Sequence, residues 1–287
     1  MSESCNSCSA ATGTCTPDSC SSSNEPKISE AQKASHVSKV IAIMSGKGGV
    51  GKSSVTSMLA VSLMRQGYKV GVLDADITGP SIPKIFGVTG RAGVSNTGIL
   101  PSKSRTGIKL MSLNLMIETE DDPVILRGPL ITQIVNQFWT DVIWGELDYL
   151  LIDLPPGTGD VPISVFQAFP VDGVVMVTSP QSLANMIVRK AVKMVRNYEP
   201  PIYGLIENMA YLQCPDCEKK IEVFGKPKGE EDAKRNSIPF LGALPIDPLL
   251  AELSDAGKVE DYESPAFEQI ALRLAEEIKK SSYKNQA

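Results

Sequence analysis

Beginning at Val37, short runs of apolar residues alternate with stretches in which apolar side chains recur at helical spacing. Val37 to Met44 is an apolar run that ends in a glycine-rich loop, and Ser53 to Arg65 then carries Val55, Met58, Leu59, Ser62 and Leu63 on a helical repeat. Lys69–Asp74, Ile108–Leu113, Tyr149–Asp153, Gly173–Thr178, Ile202–Glu207 and Phe240–Leu244 read as further strands, with helical patterns at Ile131–Phe138 and Leu183–Asn197 between them. Strands that are apolar at nearly every position have no solvent face. Separated by helices, they predict an α/β fold, a mostly parallel twisted sheet with helices on both faces. Ser264 to Lys280 closes the pattern as an amphipathic helix with Phe267, Ile270, Leu274 and Ile278 on one side. Residues 1–35 break it. They are rich in Ser, Thr, Cys and Asn and almost devoid of large apolar side chains, so burial cannot offset the entropy of ordering them. The expected organisation is a flexible Cys/Ser-rich tail over 1–35 and one folded domain over 36–287, without an internal repeat.

Composition adds exclusions. Apolar residues make up 42% and charged residues 21% of the chain, ordinary for a globular protein. With 28 Lys and Arg against 33 Asp and Glu, the net charge is −5, and no strong basic excess marks a nucleic-acid binder. No apolar run approaches the roughly 18 residues of a membrane span. The start, Met1-Ser2-Glu3-Ser4-Cys5, has neither the basic nor the apolar segment of a secretory signal, so a cytoplasmic location is expected. The six cysteines are then expected in a reducing compartment, where metal or redox chemistry is commoner than structural disulfides.

The glycine-rich loop carries the most specific chemistry. Gly46-Lys47-Gly48-Gly49-Val50-Gly51-Lys52-Ser53 matches G-x-x-x-x-G-K-S between an apolar strand and an amphipathic helix. Glycines let backbone N–H groups turn inward around phosphate oxygens, and the helix N-terminus faces the same anion. Lys52 is expected at the β- and γ-phosphates of ATP and the Ser53 hydroxyl on Mg²⁺, with Ser54 completing the nucleotide-binding set. Tyr149-Leu150-Leu151-Ile152-Asp153 is an apolar strand ending in a carboxylate, the Walker B arrangement, which places Asp153 on Mg²⁺ through a bound water. Val70 to Asp76 ends a strand with Asp74 and Asp76, at the sheet edge where open α/β folds bind ligands.

Lys47, a second lysine inside the loop, makes it resemble the deviant Walker A of the MinD/ParA/nitrogenase-iron-protein group. That resemblance implies a homodimer in which Lys47 reaches the partner's ATP. It also implies that Asp76 lies in switch I and orients the attacking water, that Asp74 supports the metal site, and that Leu154 to Asp160 forms switch II. Asn208 and Asp247 are implied to contact the adenine; a turn or helix-cap role is the plainer reading of both.

Cys214-Pro215-Asp216-Cys217 follows soon after Glu207-Asn208-Met209. A CxxC pair alone serves zinc, redox and iron–sulfur chemistry alike. Together with Asp74–Pro83 and Asp153–Asp160, this segment resembles the Mrp-type iron–sulfur cluster carrier ATPases over about residues 38–280. The resemblance implies an ATP hydrolase that assembles a 4Fe–4S cluster or transfers it from a cluster or sulfide donor to apoproteins. Four-iron clusters usually take four cysteines, so a two-fold dimer supplying Cys214 and Cys217 twice would complete the set. Cys5, Cys8, Cys15 and Cys20 are spaced C-x2-C-x6-C-x4-C, which permits a second cluster or a metal-scavenging tail. Two other classes share the loop. A MinD/ParA-like positioning ATPase would need a basic amphipathic C-terminal helix or basic patch. An electron donor of the nitrogenase-iron-protein type would use widely separated single cysteines.

Overall fold

The computed structural model describes residues 29–76, 79–116, 128–181 and 184–284. Cys5, Cys8, Cys15, Cys20 and Leu183 lie outside the described residues. In chain order the elements are α1 Glu30–Lys33, β1 His36–Ser45, α2 Lys52–Arg65, β2 Val70–Asp74, α3 Ile82–Ile85, β3 Gly93–Ser95, β4 Gly98–Leu100, β5 Ser102–Lys103, β6 Lys109–Ser112, α4 Gly128–Thr140, β7 Glu146–Asp153, α5 Asp160–Ala168, β8 Gly173–Thr178, α6 Ala184–Asn197, β9 Ile202–Gln213, β10 Lys220–Ile221, α7 Gly229–Arg235, β11 Phe240–Ile246, α8 Pro248–Asp255 and α9 Pro265–Lys284.

The main sheet runs β11-β9-β8-β1-β7-β2-β6-β5, parallel except for β5 at one edge. β10 pairs antiparallel with the last residues of β9, beyond the point where β8 has ended. Alternate residues of the central strands enter opposite cores, as the pleat requires. Ile41 and Ile43 of β1 pack with α2, α3 and α9, while Val40, Ala42 and Met44 pack with α4, α5, α6 and α7. Leu151 and Leu150 of β7, and Val175 and Val174 of β8, divide in the same way. Both faces are therefore covered, which is why these strands read as unbroken apolar runs. The parallel arrangement brings the C-terminal ends of β1, β2, β7 and β9 to one edge, where the phosphate loop, both acidic strand ends and the CxxC segment emerge.

Two boundaries differ from expectation. Residues 29–35 are docked on the domain and are not part of a flexible tail. Ser29 and Gln32 form a reciprocal cap on α1, Ala31 is buried, and Ser29 Oγ donates to the Thr140 carbonyl. Ser35 Oγ accepts from Trp144 N at 2.9 Å. A four-residue helix needs only one buried side chain and a cap, too little to register in composition. β9 runs to Gln213 rather than stopping at Glu207, because β11 on one side and β10 on the other continue its ladder.

Candidate functional site

β1 hands the chain directly into the phosphate loop, and α2 leaves it at Lys52. Gly49 and Gly51 adopt the left-handed conformation, with φ of 76° and 72°, that turns the intervening backbone toward the cavity. At Gly51 space is also short, since an added Cβ would lie 2.4 Å from Asn208 Nδ2. A cavity of about 510 Å³ opens over the loop. Gly48 to Ser54, Lys47, Asp76, Lys84, Pro156 and, from α8, Ala251, Ser254 and Asp255 line it. The α8 wall carried no sequence signal, because it depends on where β11 returns the chain.

At the floor, Asp153 is fully buried at the end of β7. Its Oδ2 accepts from Ser53 Oγ at 2.6 Å and lies 2.7 Å from Lys52 Nζ, while Oδ1 accepts from Thr56 Oγ1 at 2.6 Å. The Lys52 contact has the separation of an ion pair but not the alignment of a hydrogen bond, so a buried ammonium retains its donors. A buried ammonium, paired on one side with Asp153 and with N–H donors left over, beside inward-turned glycine backbone fits a polyphosphate. The hydroxyl of Ser53 and the Asp153 carboxylate are hard oxygen donors of the kind Mg²⁺ takes. Thr56 was not anticipated from sequence. It sits one helical turn after Lys52, and its role appears only once β7 is placed beside α2.

Asp74, paired in register with Asp153 across β2 and β7, faces inward and accepts backbone hydrogen bonds. Its carboxylate accepts from Asp76 N at 3.1 Å, Ser81 N at 2.9 Å and Ile82 N at 3.0 Å, which pins both ends of the loop carrying Asp76. Burial, and next the charge of Asp153, push its pKa up from 3.8 to about 7 against the pull of those N–H groups. Asp74 thus anchors this loop directly beside Asp153. Asp76 is half-buried and lines the cavity. On the opposite wall Leu154 N donates to Ile43 O and Gly157 N to Ser45 O, fixing the Leu154–Asp160 loop to the end of β1. Lys47 lies at the rim, its ammonium donating to Gln181 Oε1 of the same chain.

Asn208 is buried, and its Nδ2 donates to the Val50 carbonyl at 2.9 Å, so it supports the phosphate loop from beneath. Asp247 caps α8. Its Oδ1 accepts from Leu249 N at 2.9 Å and its Oδ2 from Tyr262 OH at 2.6 Å, and it does not line the cavity. Asp247 thus serves as the cap of α8.

Six residues beyond Asn208, Cys214 and Cys217 sit in the turn joining β9 to β10. Cys214 N donates to Lys219 O at 3.0 Å and Cys214 O accepts from Glu218 N at 2.9 Å, closing a tight loop. Backbone N–H groups of Cys217 and Asp216 point at the Cys214 sulfur and, with the Cys217 thiol, hold its pKa below the usual thiol range. That arrangement stabilises a thiolate at a solvent-facing position. Among the described residues no group of three or more His, Cys, Asp or Glu side chains is assembled to hold a metal.

A glycine loop between β1 and α2, a lysine at its end and a buried strand-end carboxylate facing both define a P-loop NTPase. The chain belongs to the family described as ParA, NUBPL iron-transfer P-loop NTPase, whose model matches residues 36–279. It is 46% identical over 261 residues to the iron-sulfur cluster carrier protein of Clostridium perfringens, covering 88% of this chain and 91% of that one. The protein of the same name from Methanococcus maripaludis is 44% identical over 279 residues, covering 92% and 96%. Among solved structures, a nucleotide-binding protein from Archaeoglobus fulgidus in complex with ADP superposes with a TM-score of 0.73 at 46% identity, over 81% of this chain and 91% of that one. The cell-division ATPase MinD of Pyrococcus furiosus shares the fold, with a TM-score of 0.60 at 22% identity over 85% and 99%.

Proposed function

We propose that this chain is an ATP-hydrolysing carrier of iron–sulfur clusters, which holds a 4Fe–4S cluster between two copies at Cys214 and Cys217 and passes it to apoproteins. The observation that carries this reading is the turn at Cys214 and Cys217. It presents two thiols, one of them polarised by backbone N–H groups, on the strand whose Asn208 supports the phosphate loop. Relatives named as iron–sulfur cluster carriers at 46% and 44% identity support the cargo. Two thiols leave a four-iron cluster half-ligated, and a second copy related by a two-fold axis supplies the other pair.

In this reading the phosphates of ATP lie along Gly46 to Ser54. Lys52 neutralises the β- and γ-oxygens, and Lys47 exchanges its Gln181 contact for the partner's nucleotide. Ser53 and Asp153 would hold Mg²⁺, which when bound neutralises phosphate charge. Asp76 orients the attacking water from the loop that Asp74 anchors. Asn208 sits close enough to the loop to add a contact to the nucleotide. The test is anaerobic reconstitution with iron and sulfide, followed by metal and sulfide analysis and mass measurement. The expected result is about one four-iron cluster per two chains, lost in Cys214→Ala and in Cys217→Ala, with the dimer weakened and ATP binding retained. Zinc without sulfide, or an intact cluster in the double mutant lacking residues 1–28, would overturn the assignment.

A further inference from the structure

The chain between the cysteine turn and α7 is exposed up to Lys226 and half-buried at Pro227 and Lys228. Every residue from 215 to 226 faces solvent, and besides its two ends only the Lys220 ammonium, 4.2 Å over the Tyr211 ring of β9, is seen among the described residues to tie this arm to the domain. One end is the short β9–β10 ladder at Leu212 and Gln213. The other is the start of α7, which packs on β9 and β11 and is tied to β9 by one buried side chain. Glu207, on β9, is buried, and its Oε1 accepts from Lys228 N at 2.9 Å, with the Gly229 N–H as a second donor to the carboxylate. Burial holds the Glu207 pKa above the ordinary carboxylate range, and the Lys228 and Gly229 N–H groups recover only part of the cost of carrying charge there. The fit is close. An added Cβ on Gly229 would meet Glu207 Cβ at 2.7 Å, Phe240 Cε2 at 2.8 Å and Glu207 Oε2 at 2.9 Å.

The next residue, Asn208, donates to the Val50 carbonyl of the phosphate loop. Met209 follows with a φ of 56°, unusual for a residue with a side chain, and the β9–β11 register shifts between Glu207 and Tyr211. Beyond this irregularity the strand runs directly to Cys214. Two neighbouring side chains on one strand thus grip the nucleotide loop and the cysteine arm, next to a strained point in the backbone.

We infer that Glu207 is a positioning residue for the cysteine turn, the latch through which a movement of the phosphate loop, felt at Asn208, reaches Cys214 and Cys217. The inference deepens the proposed function and rests on its reading of the two cysteines as the cargo site. A P-loop that closes on nucleotide shifts the Val50 carbonyl and with it β9 at Asn208. The adjacent Glu207 carboxylate then moves relative to Lys228 and Gly229 and resets the arm. With the latch open, the arm would sample open states independently of the loop.

The test measures thiol alkylation by iodoacetamide in the full chain, without cluster, resolved to the Cys214/Cys217 peptide by mass spectrometry. It is run with and without Mg²⁺ and a non-hydrolysable ATP analogue. In the wild type the rate should change when nucleotide is added. In Glu207→Gln, which keeps shape but loses charge and one acceptor, the nucleotide-free rate should rise roughly tenfold and cease to respond to nucleotide. ATP affinity should be retained. Gly229→Ala attacks the same latch from the other side and should give the same result, which guards against a folding defect peculiar to one variant. A merely structural role would lower the melting temperature of both variants yet leave the nucleotide response intact. That outcome, or a wild-type rate indifferent to nucleotide, would overturn the proposal. Because the readout is thiol reactivity, a failure to bind iron and sulfide would count against the cargo reading alone.

Discussion

Asp153 gathers a lysine, a serine and a threonine around one buried carboxylate, and each of those donors has a different consequence for ATP. Lys52→Ala removes the buried ammonium whose remaining donors meet phosphate. A charged hydrogen bond contributes about 1.5–3 kcal/mol, so ATP binding should weaken roughly 10- to 100-fold, as equilibrium titration with labelled nucleotide would report. Unchanged affinity would remove the phosphate assignment. Asp74 makes a prediction in pH. Its folded-state pKa, about 7, lies above the ordinary 3.8, so between those values the native chain holds a proton that the unfolded chain has released. Its contribution to stability is therefore present at low pH and declines as pH rises from about 4 to about 7. Asp74→Asn should flatten this part of the pH dependence of the melting temperature in nucleotide-free protein. It should also slow hydrolysis, because one acceptor for the Asp76 loop becomes a donor. A melting profile that keeps its wild-type slope would show that another group titrates there.

Among the elements, α1 and α9 show how docking settles a role that composition leaves open. The cap at Ser29, the burial of Ala31 and the Ser35 bond to Trp144 N tie α1 to the α4–β7 connection. Deleting residues 1–28 should leave the melting temperature unchanged. Deleting 1–35 removes a cap and orphans a buried N–H, together about 2–4 kcal/mol, and should lower it by several degrees. Equal stability of the two truncations would mean that α1 contributes nothing. α9 buries Phe267, Ile270, Leu274 and Ile278 in the core it shares with α2. Its apolar side is thus already partnered within the domain, and no helix among the described residues is long and apolar enough to cross a membrane.

At the scale of the whole molecule, the proposed assembly requires two chains for both chemistries. Lys47 donates to Gln181 within its own chain. If it acts on the partner's ATP, Lys47→Ala should keep nucleotide binding and lose hydrolysis. An arginine finger in the same position is worth roughly 10³–10⁵ in rate, which bounds the expected loss. Mixed dimers of Lys47→Ala and Asp76→Ala chains should regain part of the activity, since one of the two sites then has an intact Asp76 and receives an intact Lys47 from across the interface. Absence of rescue in verified heterodimers would place Lys47 in its own site.

Much of this protein was legible along the chain because the relevant physics is local. A phosphate loop needs its glycines, lysine and serine within eight consecutive residues. Apolar strands announce two covered faces, and a CxxC turn needs only four positions. The strand-end carboxylates were equally visible, but their division of labour was not. What Asp74 holds depends on where Ser81 and Ile82 return, and the cap that Asp247 forms on α8 is braced by Tyr262, fifteen residues on. Thr56, the α8 wall of the cavity and the Glu207 latch gave no signal, since each gains its meaning from a partner far away in sequence. Local pattern determined the elements and the phosphate chemistry. Tertiary structure decided which carboxylate meets the lysine, serine and threonine and which holds a loop, because buried charges take their roles from the donors that packing brings to them.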